Sequence, residues 1–244
     1  SVWFHVTDPT AMALVHTCVI VLIALFTVGL FTRVTSVLSL LVLLSYIHRG
    51  PLLTAQVEPI LAFVLFYLCL GPAGADWSLD RWLASRRKAA NPVALQTAYS
   101  SPTAASTQMS SAATISIRLI QVHLTLVYAM MAIGKVSSDV WWSGSAMWWL
   151  IAKSESRLVD FTWLHNARLL VDGLTNGVML YQIAFPVLIW NRLARPLLLG
   201  LGVVVWGLLA LVTGMIPFAL AMLIASLAFV PAETVRSTLP RCCE

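Results

Sequence analysis

Residues 11–31 read AMALVHTCVIVLIALFTVGLF, a run of 21 residues without Asp, Glu, Lys or Arg. At a rise of about 1.5 Å per residue, a helix of this length matches the hydrocarbon core of a bilayer, which is about 30 Å thick. The run is also longer than the apolar segment of a secretory signal, which has about 7–15 residues. We therefore expect it to cross a membrane as a helix.

The composition of the whole chain supports this reading. Of the 244 residues, 59% are hydrophobic and 10% are charged, whereas soluble domains carry about 25% charged residues. This is too few charged residues to cover the surface of a soluble fold, so an ordinary soluble domain is excluded. The net charge of +5 comes from residues at the ends of apolar runs. We interpret them as orientation signals at a membrane surface and expect no nucleic-acid partner.

Apolar runs recur along the chain. They predict an all-α fold, a polytopic transmembrane helix bundle that forms a single domain over residues 1–244. About seven spans are expected, at 11–31, 34–47, 53–71, 114–134, 169–190, 197–213 and 215–230.

Two long connections separate the predicted spans. Residues 72–113 begin with basic residues and become rich in Ser, Thr and Ala, which is typical of a linker loop. Residues 135–168 are rich in Trp, a residue favoured at the headgroup level of a bilayer. We expect an interfacial helix at 140–152 within this second connection.

The basic residues give the orientation. With seven spans, nine Lys and Arg residues fall on one side and five on the other. The richer side is cytoplasmic by the positive-inside rule. Residue 1 and the connection 135–168 are then outside, whereas the linker loop 72–113 and the C-terminus are cytoplasmic. The predicted location is a bacterial inner membrane.

The fourth predicted span carries a polar stripe, which we define as Arg118, Gln121, Thr125, Tyr128, Ala132 and Lys135. Spacings of three and four residues place these side chains on one helix face. This face should point into the bundle or into a hydrated cavity, because a charge that faces lipid costs several kcal/mol. In one reading the polar groups only cross-link helices, while both cations reach the membrane surfaces. In the other they line a functional cavity.

Acidic residues near the outward helix ends offer partners for Lys135. Glu58 lies in the third span, Asp139 follows the fourth, and Asp172 lies in the fifth. Asn176 is one helical turn from Asp172 and adds a second polar group to that face. A lysine with an acidic partner stays charged, whereas a desolvated lysine can act as a base. The sequence leaves both possibilities open.

Motifs of soluble enzymes are absent from the sequence. There is no Gly-rich phosphate loop, no nucleophile elbow and no metal-spaced set of His and Cys residues. We therefore expect no metal.

Several segments together resemble the HTTM domain, the membrane domain related to the vitamin K-dependent gamma-glutamyl carboxylase. The resemblance covers nearly the whole chain and rests on the order and spacing of its pieces. The pieces are Arg118 to His123, Tyr128, Ile133 to Lys135, Asp139 to Gly144, Gly29 to Arg33, His48 to Pro51, Ala75 to Asp80 and Phe218 to Met222.

The resemblance implies a role for Lys135. If the two sequences are aligned at Tyr128, Lys135 corresponds to the lysine that deprotonates reduced vitamin K in the carboxylase. If they are aligned at Trp141, the correspondence shifts by one residue. The carboxylase also uses a histidine where this chain has Ala75. Many bacterial members carry an acid and a His where this chain has Gln182 and Trp206. These departures argue against glutamate carboxylation.

Two kinds of function follow from these observations. The favoured one is an accessory or structural subunit of a larger membrane complex, with membrane lipid and other membrane protein subunits as partners and a polar outward-facing cavity. The alternative is a membrane enzyme or a protein that binds a quinone or a lipid, with Lys135 as base and help from Glu58, Asp172 or Tyr128. A transporter is disfavoured, because the sequence shows no internal repeat.

Overall fold

The structure, a computed structural model, describes residues 8–49, 56–72, 78–80, 82–83, 86, 111–152, 159 and 161–231. In these ranges the regular elements are helical and no strand occurs. The helices are α1 (Pro9–Val28), α2 (Thr32–Arg49), α3 (Val57–Leu70), α4 (Ser111–Val136), α5 (Asp139–Trp142), α6 (Ala146–Ala152), α7 (Arg168–Leu188), α8 (Ala194–Thr213) and α9 (Ile216–Ser226). Two 3-10 turns, Thr162–Asn166 and Leu227–Phe229, precede α7 and follow α9.

Each of the seven predicted apolar runs forms a helix. Among the described residues, three helices are long and apolar enough to cross a membrane, namely α1, α4 and α8. Helix α3 has 14 residues and is therefore about 21 Å long, shorter than the roughly 30 Å hydrocarbon core of a bilayer. Three described helices thus have the length and composition of membrane spans, and the count of about seven spans stays a prediction.

The predicted linker loop 72–113 lies largely outside the described residues, as does most of its basic cluster.

Residues 1–119 and 120–244 form two compact units, and each is described by itself below. The prediction of a single domain stays a prediction.

In the first unit, α2 packs against both α1 and α3. Its buried residues are Thr35, Ser36 and Ser39, small side chains that let helices approach closely in a membrane. Helix α1 starts at Pro9 behind an Asp8 cap, which accepts a hydrogen bond from the backbone N–H of Ala11 at 3.0 Å. It buries no residue, as expected of a helix that faces lipid.

The turn between α1 and α2 is held by Asp80. Its carboxylate accepts hydrogen bonds from the backbone N–H groups of Phe31 and Thr32, each at 3.0 Å. Gly29 lies in the left-handed region at φ 78°, and a Cβ there would lie 2.8 Å from the Cβ of Ser78. Two of the segments that carry the HTTM resemblance, 29–33 and 75–80, thus meet here through their described residues.

In the second unit, α8 packs against α9 and α7, and α6 packs against α7 and α8. Helix α7 turns its buried face to these neighbours through Val171, Thr175, Val178, Met179 and Phe185, among others. The largest fully buried side chains include Trp206, Tyr128, Phe185 and Phe229. The core of this unit is therefore aromatic.

The interfacial helix predicted at 140–152 is wrong as a single element, because two short helices, α5 and α6, replace it. The break is at Gly144, which has φ 75° and packs against Asp172, whose Oδ1 would lie 2.7 Å from a Cβ at that position. Thr175 holds the turn in place. Its hydroxyl oxygen is 2.7 Å from the carbonyl oxygen of Gly144 and accepts a hydrogen bond from the backbone N–H of Met147 at 3.1 Å.

Candidate functional site

The polar stripe of α4 faces the protein interior over most of its length. Tyr128 and Ala132 are buried, while Gln121, Thr125 and Lys135 are half-buried. Arg118 is exposed and belongs to the first unit. The expected inward orientation therefore holds for the part of the stripe within the second unit.

Tyr128 is the centre of a buried hydrogen-bond network. Its side chain has no exposed surface, and its hydroxyl accepts a hydrogen bond from the indole Nε1–H of Trp206 at 2.6 Å. The hydroxyl of Tyr181 lies 3.2 Å away. Tyr128 thereby connects α4 to both α7 and α8.

The proton positions in this network follow from counting donors. The hydroxyl of Tyr128 also interacts with that of Ser226, which itself donates to the carbonyl oxygen of Met222 at 2.7 Å. The arrangement is complete if Tyr181 donates to Tyr128 and Tyr128 donates to Ser226, since a tyrosine oxygen can accept two hydrogen bonds and donate one. In this arrangement the hydroxyl groups of Tyr181, Tyr128 and Ser226 each donate their proton to a partner within the protein, and the oxygen of Tyr128 accepts its full two bonds.

Aromatic rings enclose the network. The rings of Tyr128 and Phe185 stack with centroids 3.7 Å apart and planes inclined by 15°. The ring edges of Phe229 and Phe218 meet Phe185 and Trp206 at 5.9 Å and 5.3 Å. Such contacts add to the stability gained from burial and exclude water from the hydroxyls.

Gln182 is the exception in this core. It has no exposed surface, and neither Nε2 nor Oε1 has a hydrogen-bond partner among the residues that the structure describes. A buried amide without a partner is costly, because the water it loses is not replaced. In the sequence, position 182 differs only in that many bacterial members of the HTTM family carry an acidic residue where this chain has glutamine.

Gln121 is used as a cross-link. Its Nε2 donates to the carbonyl oxygen of Ala228 at 2.7 Å, which joins α4 to the 3-10 turn after α9. Ala228 lies at the end of a helix, where carbonyl groups have no partner within the helix. The predicted binding residue therefore satisfies a helix end.

Lys135 lies against an aromatic ring. Its Nζ is 4.5 Å from the centroid of Trp141, a cation–π distance. Asp172, one of its expected partners, instead lies 3.9 Å from Nε of Arg168, one turn away on α7. The structure thus pairs each of these two predicted site residues with a neighbour close in the sequence.

The remaining predicted site residues lie apart from this network. Asn176 is exposed on α7. Glu58, in the first unit, is half-buried, and its Oε2 has no hydrogen-bond partner among the described residues. Within the described part of the chain, no group of three His, Cys, Asp or Glu side chains is placed to hold a metal ion. Ala75, the position of the missing histidine, lies outside the described residues.

Three residues that were not among the predicted site residues form hydrogen bonds in this part of the protein: Tyr181, Thr175 and Ser226. Each is a polar side chain within an apolar run, and such a residue needs a partner when it is buried in a membrane protein. That signal was available in the sequence, but it does not identify the partner.

Comparison with protein-family models, with curated proteins and with solved structures finds no match to this chain. The resemblance to the HTTM domain stays a prediction.

Proposed function

We propose that this protein is an HTTM-like integral membrane protein of about seven spans that serves as an accessory or structural subunit of a larger membrane complex. In this proposal it resides in a bacterial inner membrane, with residue 1 outside and the C-terminus in the cytoplasm. Lipid and other membrane protein subunits are its partners.

One observation carries the proposal: the hydroxyl of Tyr128 is fully used in contacts between helices. It accepts from Trp206 and interacts with Tyr181 and Ser226. Gln121 is likewise engaged with Ala228. A catalytic or binding face would offer polar groups to a substrate, whereas these groups stabilise the packing of α4 against its neighbours.

Helix α7 offers a face suited to a partner. Gly173 and Gly177 are exposed, and a Cβ added at either would meet no described atom within 4 Å apart from its chain neighbours and the backbone of its own helix. Asn176 is exposed beside them. Two glycines four residues apart allow a second helix to approach closely, and an asparagine supplies a hydrogen bond between helices.

Lys135 supports the alternative function, a membrane enzyme or a quinone- or lipid-binding protein. Its ammonium group is half-buried and lies over an aromatic ring, with Asp172 held by Arg168. A lysine in such surroundings can serve as a base.

Two substitutions of Lys135 separate these functions. Arginine keeps a cation over Trp141 but is not deprotonated in proteins, whereas alanine removes both the charge and the base. If the lysine is structural, Lys135→Arg should assemble like the wild type and Lys135→Ala should be less stable. If it is a base, both variants should assemble normally and lose activity equally.

The readouts are co-purification from native membranes and growth under conditions that require the gene. Normal assembly of both variants, with the same loss of growth, would contradict the structural role.

A further inference from the structure

Three tryptophan rings project from the second unit without cover. Trp142, Trp149 and Trp163 are 63%, 67% and 63% exposed. They belong to three successive short elements: α5, α6 and the 3-10 turn before α7. We call these three rings the indole surface. Large apolar side chains exposed on successive short elements are typical of a region that contacts lipid or protein.

The packing below the indole surface fixes which side of α6 faces outward. Ala146, Met147 and Ile151 are buried, and the backbone N–H of Met147 is bonded to Thr175 on α7. Trp149 therefore points away from the core. The exposed ring is a consequence of ordered packing on the opposite side of α6.

The indole surface is next to the end of a membrane-spanning helix. Helix α4 is long and apolar enough to cross a membrane and ends at Val136. The indole Nε1–H of Trp142 donates to the carbonyl oxygen of Val136 at 2.6 Å. This bond ties the Trp142 ring to the last residue of α4, so the ring lies at the level where that span leaves the hydrocarbon.

The stretch of sequence that contains the three tryptophans has no net charge. From residue 135 to residue 172 the charged residues alternate in sign, with four cations and four acids. They are Lys135, Asp139, Lys153, Glu155, Arg157, Asp160, Arg168 and Asp172. A segment without net charge gains little from anionic lipid, whereas indole rings favour the headgroup level through their amphipathic shape.

We propose that the indole surface binds the zwitterionic headgroup layer of the bilayer. This inference rests on the membrane insertion in the proposed function and adds a contact for Trp142, Trp149 and Trp163. The rings lie among the headgroups and hold α5 and α6 at the surface of the membrane beside the end of α4.

Fluorescence quenching by brominated phosphatidylcholine tests the proposal. The full chain is reconstituted in vesicles whose lipids carry bromine either near the headgroup or near the ends of the acyl chains. The emission from the three rings is the difference between the wild type and a triple variant with Trp142→Phe, Trp149→Phe and Trp163→Phe. We expect the bromines near the headgroup to quench this emission roughly twofold more than the bromines near the ends of the acyl chains. Replacing the other lipids by phosphatidylglycerol should leave that ratio unchanged.

Trp206→Phe is the matched control, because this ring is only 2% exposed and bromine cannot reach it. The emission lost in this variant, measured as the same kind of difference, should be quenched by neither bromine. If the triple variant fails to fold, Trp149→Phe alone provides the same comparison, since the buried face of α6 is untouched.

The proposal would be overturned if the three rings were not quenched, if deep bromines quenched them more strongly, or if quenching required anionic lipid. The measurement uses the isolated chain. If the three rings are not quenched but partners still co-purify, the lipid contact is wrong and the accessory role stands. If the rings are quenched but no partner co-purifies, only the accessory role is rejected.

Discussion

The indole Nε1–H of Trp206 donates to the hydroxyl of Tyr128 at 2.6 Å, although the two residues are 78 positions apart. This bond joins α4 to α8 inside the aromatic core of the second unit. It also engages the central hydroxyl of the polar stripe in a contact between helices.

Trp206→Phe should lower the free energy of unfolding by roughly 1–2 kcal/mol, the usual worth of one hydrogen bond. Phenylalanine keeps an aromatic side chain but is smaller than the buried indole, so the loss combines the missing bond to Tyr128 with a small cavity. The measurement is reversible unfolding in detergent micelles. Trp190→Phe is the control, because Trp190 packs on Phe229 at 5.7 Å and is exposed. Equal effects of the two substitutions would contradict the role of this bond.

Gly202→Ala should destabilise the protein by roughly 1–3 kcal/mol through overpacking. A Cβ at Gly202 would lie 2.6 Å from the hydroxyl oxygen of Tyr181, whereas a Cβ at Gly207 on the same helix meets nothing within 4 Å. Gly207→Ala is therefore the matched control and should change stability by less than about 0.5 kcal/mol.

The clash at Gly202 involves one identifiable atom, which permits a rescue. Adding Tyr181→Phe removes the hydroxyl and should recover part of the stability lost in Gly202→Ala, as seen in thermal unfolding of the double variant. If the double variant is less stable than the sum of the two single effects, the assigned contact is wrong.

Gln182→Met should raise the free energy of unfolding by roughly 1–3 kcal/mol, because it replaces a buried amide that has no partner in the described part of the chain by an apolar side chain of similar length. Gln121→Met is the contrasting variant. It loses the 2.7 Å bond to the carbonyl oxygen of Ala228 and should be less stable than the wild type. Destabilisation by both substitutions would mean that the amide of Gln182 has a partner in the protein.

Asp80 should make the first unit sensitive to acid. The backbone N–H groups of Phe31 and Thr32 donate to its carboxylate and hold its pKa below the ordinary value of 3.8. A carboxyl group whose pKa is depressed on folding stabilises the fold above its unfolded pKa, and this contribution is lost as the pH falls through the folded pKa.

Asp80→Asn removes this titration. Thermal unfolding of the wild type and the variant, followed from about pH 7 down to about pH 2, should show the wild type as more stable at neutral pH and the difference shrinking below about pH 4. A stability difference independent of pH would contradict the assigned role of the carboxylate.

The helices were predictable and their lateral contacts were not. The charge-free run at 11–31 gave α1 within a few residues, because an uninterrupted apolar segment has few other ways to satisfy its backbone in lipid. The break between α5 and α6 was missed because it depends on Gly144 meeting Asp172. Partners distant in the sequence, such as Trp206 and Tyr128, have no local signal.

The candidate site was predictable to the same extent. Helical spacing placed Tyr128 and Lys135 on one inward face, since that follows from 3.6 residues per turn. It did not indicate that Lys135 would lie over Trp141 or that Asp172 would lie nearest Arg168. Those contacts depend on the geometry of the α5–α6 turn.

The most direct measurement of the central claim is the mass of the native particle after extraction from its own membrane in a mild detergent. We expect the 26.7 kDa chain to migrate in a larger complex with other subunits in fixed stoichiometry. A single copy of the chain that retains a small molecule, and loses it in Lys135→Ala, would contradict the accessory role and favour the enzyme.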